Sequence, residues 1–451
     1  MSKVKMMSAK DKKKGALVPR LRFPEFIGDR EWDCAQMGDI YAFKKNNSFS
    51  RDMLNYNAGD VKNIHYGDIH KKFSSHFYAE NENIPFVNCN INLGSISEDC
   101  LCTAGDIIFA DASEDIKDIG KCIEIISNNK ERILSGLHTI FTRQFSSTLV
   151  IGFGGYLFQS PRVRAQIQKE AQGTKILGIS SGRLATISIS FPFAKGEQQK
   201  IADCLSSLDE RIAAETNKLD ALKAHKKGLL KQLFPAEGET LPQLRFPEFQ
   251  DAGEWNKTRL NNCVSIHAGL NVEQVNYPTD YKVTRIETIS TQKIDNYKVG
   301  YIHPFQGMTA YKLNVGDILF SNINSIEHIG KSVFIDKDYG IYHGMNLLRL
   351  VATSQPRIAK FLFYYINTSS VRESFRRRAN KAVNQASINQ TELGKTVIYI
   401  PIYKKEQQRI ADCLSSLDEL IAAQTQKINL LKDHKKGLMQ QLFPVLNEAQ
   451  V

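Results

Sequence analysis

From residue 197 to residue 234 the chain holds no proline and one glycine, Gly228, and its apolar side chains return in alternating steps of four and three. Ile201, Leu205, Leu208, Ile212, Leu219, Leu222, Leu229 and Leu233 carry the stripe, and Glu215 and Lys226 fill two of its slots. That spacing predicts a long helix with one apolar face, the seam of a coiled coil. Residues 406–443 repeat the pattern through Ile410, Leu414, Leu417, Ile421, Gln424, Ile428, Leu431, Lys435, Leu438 and Leu442. At 1.5 Å of rise per residue each helix would be about 57 Å long. Pro235 and Pro444 stop them, because proline cannot continue the backbone hydrogen bonding. A lone helix with this stripe exposes too much apolar surface, so each copy is the other's natural partner. Equivalent units related by a two-fold axis set equivalent helices head to tail, and the pairing is expected to be antiparallel. The polar slots Glu215/Gln424 and Lys226/Lys435 either fix the register or lie at the seam edge and reach water.

The helices belong to a larger repeat. Residues 197–235 align with residues 406–444 without a gap, and 29 of the 39 positions are identical. Leu21-Arg22-Phe23-Pro24-Glu25-Phe26 returns unchanged as Leu244-Arg245-Phe246-Pro247-Glu248-Phe249. Six residues after each comes a tryptophan, Trp32 and Trp255, the only two in the chain. The interiors hardly align and differ in length, 176 residues against 162 from hexapeptide to helix. Short anchors recur, such as Gly105-Asp106-Ile107 against Gly316-Asp317-Ile318, and Ile119-Gly120-Lys121 against Ile329-Gly330-Lys331. A constant frame around two divergent inserts suits a scaffold with two different recognition surfaces. The inserts read as mixed α/β. Strands are expected at residues 84–87, 107–110, 187–190 and 397–402, and helices at 152–169 and 358–381.

Composition narrows the classes. With 451 residues, two or more domains are expected, and 42% apolar with 24% charged residues is globular. The longest apolar stretches, such as residues 149–158, are far short of a membrane span, and no signal peptide opens the sequence. Eight cysteines without a CxxC pair point to free thiols in a reducing cytosol. The net charge of +11 permits a polyanionic partner without proving one; residues 1–20 supply +6 of it and read as a basic, solvated, disordered arm.

The hexapeptide with its tryptophan, Glu197-Gln198-Gln199-Lys200-Ile201-Ala202, Ser206-Ser207-Leu208-Asp209-Glu210 and Lys226-Lys227-Gly228-Leu229, all with second-copy matches, carry a resemblance. In that order the double set resembles the specificity (S) subunit of type I restriction–modification enzymes, over nearly the whole of residues 17–444. The resemblance implies an α+β fold: two mixed α/β target-recognition domains joined by a pair of long antiparallel coiled-coil helices, with a pseudo-two-fold internal repeat. The expected segments are a basic tail (1–20), recognition domain one (21–194), spacer helix one (195–235) and a linker (236–243). Recognition domain two (244–402), spacer helix two (403–444) and a tail (445–451) follow. The family implies a non-catalytic, cytoplasmic subunit that reads double-stranded DNA, each domain taking one half of an interrupted asymmetric target. It implies two methyltransferase subunits as partners, which carry the S-adenosylmethionine, and two motor–nuclease subunits as optional ones. The chain itself needs no cofactor and no metal. The basic extension before residue 20 departs from the family pattern.

The missing chemistry agrees. No two of the 13 prolines are adjacent, so the Asn/Asp-Pro-Pro-aromatic element of an adenine methyltransferase is absent, and no GxGxxG loop is present. Gly330-Lys331-Ser332 ends like a phosphate loop, but Ser325 stands where the first glycine belongs, so a structural turn is expected. Candidate DNA-binding residues are Arg376, Arg377, Arg378 and Lys381 at a predicted helix end, followed by Asn384 and Gln385. Arginine suits guanine edges and amides suit adenine edges. The corresponding region of copy one offers Gln172, Lys175, Ser180, Ser181 and Arg183. Asn88, Asn90 and Asn92 are expected to alternate along an extended stretch, and Asn322 and Asn324 share that spacing. The alternatives are ordinary polar loops and solvated helix ends, phosphate positioning rather than base reading, and a coiled-coil scaffold whose inserts bind proteins.

Overall fold

A computed structural model describes residues 17–94, 96–353, 356–382 and 385–444. The chain divides into two units, one of residues up to Glu215 with those from Lys427 onward, the other of Thr216–Gln426. The expectations for residues 1–16 and 445–451 lie outside the described residues.

The periodic segments are helices, Lys195–Gln232 and Lys404–Leu442. Each unit holds the start of one and the end of the other. In the first unit Lys435 Nζ lies 2.6 Å from Asp209, and Lys427 pairs with Glu215. Residue number rises along one helix as it falls along the other, so the pairing there is antiparallel. In the second unit Lys226 meets Asp418, while Leu233 and Phe234 pack with Ile410, Ala411 and Leu414. Ile201, Leu205, Leu219, Ile410, Leu414, Leu417 and Ile428 are buried; Leu208, Ile212, Leu222, Ile421 and Leu431 are half-buried. The seam lysines are thus tied to carboxylates on the facing helix.

The repeated hexapeptide explains itself in the folded chain. Glu197, at the start of the first long helix, is buried. Arg22 holds it through Nε (2.8 Å) and Nη2 (2.7 Å), and Trp32 Nε1 donates to the same carboxylate at 3.3 Å. In the second unit Arg245 and Trp255 hold Glu406 in the same way, at 2.7, 2.8 and 3.2 Å. Each clamp also grips the end of the other helix. Trp32 meets Phe443 edge to face, and Leu21 N donates to Gln441 O at 3.0 Å. Trp255 meets Phe234, and Leu244 N donates to Gln232 O at 2.9 Å.

In the first unit the main sheet runs Tyr41–Lys44, Thr139–Gln144, Ile107–Ala110, Cys122–Ser127, His76–Tyr78. A second sheet joins Ile133–Ser135, Lys62–Ile64, Phe86–Val87 and Leu54–Asn55, and Asp33–Gln36 pairs with Ser188–Phe191. The second unit repeats this with Val264–Ala268, Leu348–Ala352, Ile318–Phe320 and Ser332–Phe334 in one sheet. Val299–Tyr301, Lys282–Thr284 and Ile341–Tyr342 form another, and Asn256–Arg259 pairs with Val397–Ile400. A helix after each sheet ties it to the coil. Tyr156 Oη donates to Asp209 at 2.8 Å, and Tyr364 Oη to Asp418 at 2.7 Å, the same two carboxylates that take the seam lysines.

Several predicted bounds change. The helix expected over 152–169 is two, Phe153–Leu157 and Pro161–Glu170, because Ser160 before the proline is extended. That expected over 358–381 is Pro356–Ile366 and Ser369–Arg378, broken at an extended Thr368, and Lys381 lies in a strand. The strand expected to reach residue 402 ends at Ile400, before Pro401. That at 84–87 is only Phe86–Val87. That at 187–190 is Ser188–Phe191, one residue later.

Arg22→Ala leaves a buried carboxylate unpaired, a loss of about 3–5 kcal/mol by the usual cost of breaking a buried pair. Hydrogen exchange should show the first unit loosened and the second unchanged. Glu124 is also buried, its carboxylate taking Gly152 N and Gly155 N at 2.8 and 2.6 Å, and burial pushes its pKa up to about 7. The folded state therefore holds this proton more tightly than the unfolded chain. The first unit's stability should fall as pH rises from about 4.5 through 7 and then level off; thermal melts of Glu124→Gln should lack that component.

Candidate nucleic-acid interface

In both units the strand that opens Gly-Asp-Ile runs out of its sheet into a short exposed arrangement. Ala112–Ser113 pairs antiparallel with Leu177–Gly178, and Ile179 N donates to Asp111 O at 2.9 Å. Gln172 and Gly178 exchange backbone hydrogen bonds of 2.9 and 2.7 Å and close a hairpin. Gly173 at its turn has φ 123°, and a Cβ there would lie 2.1 Å from Ile176 O, so only glycine fits. Gln172 and Lys175 are exposed on it. The second unit builds the same device. Ile323–Asn324 pairs with Ala386–Ser387, which pairs with Asn380–Lys381, and Ile388 N donates to Asn322 O at 2.9 Å. Lys381 and Gln385 are exposed there; Asn384 lies outside the described residues.

The hairpins gather residues far apart in sequence, but not every predicted side chain is available. Ser180 Oγ caps the helix Ser181–Ala185 by accepting from Arg183 N, and Arg183 reaches back to Glu170 at 3.0 Å; Ser181 is exposed. Asn324 is engaged by Ser321 Oγ and Ser325 N, while the buried Oδ1 of Asn322 has no hydrogen-bond partner. Arg376 meets Glu373 at 3.1 Å and Glu327 O at 3.4 Å, and Arg377 meets Glu237. Arg378 is half-buried. The asparagine alternation fails, because residues 88–91 form a turn closed by Ile91 N on Asn88 O. Asn88 is held by Asp52 O and Asn55, and Asn92 accepts from Gly94 N; Asn90 and Asn92 are exposed.

Other residues at these sites escaped the sequence reading. His138 Nδ1 lies 3.3 Å from Asp111, whose carboxyl burial pushes up and His138 pulls down. Tyr66 packs edge-on to both His138 and His70, and His70 Nε2 is 2.8 Å from Ala112 O. In the second unit Arg372, Arg376, His328, Lys331, Glu327 and Ile326 line a concave basic pocket. Burial, then Arg376, push the Arg372 guanidinium down, and the Nε atoms of both arginines are buried without a partner. The first-unit counterpart, Arg164, instead caps the carbonyls of Lys117, Ile119 and Gly120 at 2.6–2.9 Å. The Gly120-Lys121 and Gly330-Lys331 turns are structural: each glycine is left-handed, and Lys121 and Lys331 donate to His70 O and Ser290 O. Among the described residues no cluster of metal-binding side chains occurs, and no helix is long and apolar enough to cross a membrane.

The family model of the type I restriction modification DNA specificity domain matches residues 29–224 and 253–433. The chain belongs to that family. A Methanocaldococcus jannaschii protein bearing the name of the MjaX type I restriction enzyme specificity subunit is 40% identical over 194 residues, 42% of this chain. The match spans 45% of that relative's length. The MjaVIII specificity subunit of the same organism is 25% identical over 303 residues, 64% of this chain and 69% of the relative. Among solved structures, a type I S subunit from M. genitalium superposes with TM-score 0.56 at 13% identity, over 96% of this chain and all of that one. A chain from a study of type I complex assembly superposes with TM-score 0.54 at 15% identity, over 92% and 97%. These two share the fold. Both family matches cover a hairpin site, so the two exposed sites belong to two copies of one DNA-specificity domain.

Proposed function

We propose that the chain is the sequence-reading subunit of a type I restriction–modification complex, with each unit recognising one half of a bipartite, asymmetric duplex target. The observation that carries this is a pair of matching clamps and seam contacts beside two unlike exposed hairpins. Glu197 and Glu406 are held by identical residues, as are Asp209 and Asp418. The hairpins, by contrast, differ in sequence and pairing: Gln172 and Gly178 close one, and Asn380–Lys381 pairs with Ala386–Ser387 in the other. One scaffold with two different polar surfaces predicts two different half-sites. Exposed amide and cationic side chains on a hairpin suit base edges and phosphates.

In this reading the residues 21–194 and 244–402 are the recognition domains, and the helices are spacers that dock other subunits. A helix of about 57 Å suits half-sites roughly one DNA turn or somewhat more apart, at 34–36 Å per turn. Two methyltransferase subunits carry S-adenosylmethionine and the chemistry, motor–nuclease subunits add cleavage, and the complex works in the cytoplasm. The DNA-facing set is Gln172, Lys175, Ser181, Arg378, Lys381 and Gln385, with Arg372 and Arg376 of the basic pocket on phosphates; Asn90 and Asn92 are exposed candidates outside the hairpins. A protein-binding scaffold is not favoured, since the matched family is a DNA-specificity domain.

Exchanging residues 21–194 for another family member's insert, followed by adenine-methylation mapping in cells, should change one half-site and leave the other. Change in both halves, or in neither, defeats the modular reading. The basic pocket gives a finer check. Arg372→Gln with Arg376→Gln should weaken duplex binding by the assembled complex similarly on all sequences. The slope of log affinity against log salt should lessen by about 1–2, the loss of one or two phosphate contacts.

A further inference from the structure

The two units share one more feature, at a point where their sequences do not agree. His138 and Asn346 are both left-handed, with φ 56° and 65°. They are structural equivalents. Thr139 stands opposite Ala110 in the first unit's sheet, and Leu348 opposite Phe320 in the second's. Continuing each register places His138 across from Asp111 and Asn346 across from Asn322. Asp111 and Asn322 are the residues whose carbonyls receive Ile179 N and Ile388 N, so both pairs stand beside the exposed hairpins.

The loops that carry them are pinned. Two residues before each left-handed position is a glycine, Gly136 or Gly344, packed against the neighbouring strand. A Cβ would fall 2.5 Å from Ile64 O in the first case and 2.0 Å from Thr284 O in the second. The left-handed side chains themselves are exposed. His138 is further oriented by Asp111, 3.3 Å from its Nδ1, and by the edge-on ring of Tyr66 at 5.2 Å. Its backbone carbonyl accepts from Asp111 N at 3.1 Å. A rigid loop that holds an exposed histidine or asparagine in a conformation glycine would adopt more easily marks a position kept for its side chain.

We propose that His138 and Asn346 are base-reading residues, one for each half-site, with Asp111 a positioning residue that orients the His138 ring. This rests on the DNA-recognition reading above. With Nδ1 the protonated nitrogen facing Asp111, the neutral ring leaves Nε2 an acceptor, which suits the exocyclic amino donors on a major-groove edge, adenine N6 or cytosine N4. The Asn346 amide offers a donor and an acceptor side by side, the pair that adenine N7 and N6 match. The same backbone position thus carries different chemistry in the two units, as two unlike half-sites require.

The test uses the whole chain assembled with its methyltransferase subunits, with adenine methylation mapped on a randomised duplex library. His138→Gly removes the side chain and relieves the left-handed backbone, so the fold is kept. It should relax preference at one base pair of one half-site about tenfold or more and leave the other half intact. Asn346→Gly should do the same in the opposite half-site. His138→Asn, which also tolerates the backbone, should shift the preferred base at that position rather than relax it, and it decides the matter if the glycine variant folds poorly. Asp111→Asn should weaken preference at the His138 base pair alone, an outcome that a merely structural role would not confine to one position. A wild-type complex with a clear target and all four variants unchanged overturns this inference. A wild-type complex with no sequence preference overturns the underlying reading and this inference with it.

Discussion

Everything in the chain is organised by a buried carboxylate that has no business alone in an apolar core. Glu197 and Glu406 sit at 1% or less exposure at the starts of their helices. Such a charge is tolerable only with close partners, because desolvation would otherwise cost several kcal/mol. Arg22 with Trp32, and Arg245 with Trp255, supply them. The hexapeptide and the tryptophan recur unchanged since each is a piece of that solution. Phe23 and Phe246 lie beneath Lys200 and Arg409, and Glu25 and Glu248 pair with the same two cations, which seals the outer edge.

The clamp also explains why the copies are interlocked rather than merely adjacent in sequence. Each tryptophan is covered by the phenylalanine that ends the opposite helix, so neither copy of the repeat can close its core with its own segments. Asp209 and Asp418 repeat the logic further along. Each accepts a tyrosine hydroxyl from its own unit's globular part and a lysine from the facing helix. Burial, together with the hydrogen-bonded aspartate, pushes both hydroxyls, Tyr156 and Tyr364, well above the usual tyrosine range and keeps them donors. A helix slip of one heptad would break both a clamp contact and a seam pair, so register is specified twice.

This is why the frame was legible in the sequence and the exposed hairpins were not. The seam follows from a local period that depends on nothing outside the helix. The hairpins depend on pairing Leu177 with Ser113, and Ser387 with Ile323, across more than 60 residues. No local pattern announces that. The breaks at Ser160 and Thr368 are single extended cap residues, the first marked by Pro161, set between apolar runs that read as one continuous helix. Asn88 looked like a surface amide, but it bridges Asp52 O and Asn55. His138 and Asn346 were missed for a related reason: their shared trait is a backbone angle, and backbone angles are not written in residue types.

Arg164 and Arg372 show how such a frame lets the surface beside the hairpins diverge. They occupy the same position, one residue after Val163 and Val371, each on the short helix that ends in the hairpin. In the first unit the guanidinium is spent on three carbonyls of the Lys117–Gly120 turn. Both turns are closed by the same backbone bonds, Asp118 N and Ile119 N on Asp115 O in the first unit and His328 N and Ile329 N on Ser325 O in the second. In the second it is Arg376 that reaches the Glu327 carbonyl, and Arg372 lines a basic pocket. Nothing in the clamp or the seam had to change for a structural cation to become a surface one. Divergence of this kind needs only that the load of holding the fold be carried elsewhere, and the twofold burial of Glu197 and Glu406 is where it is carried.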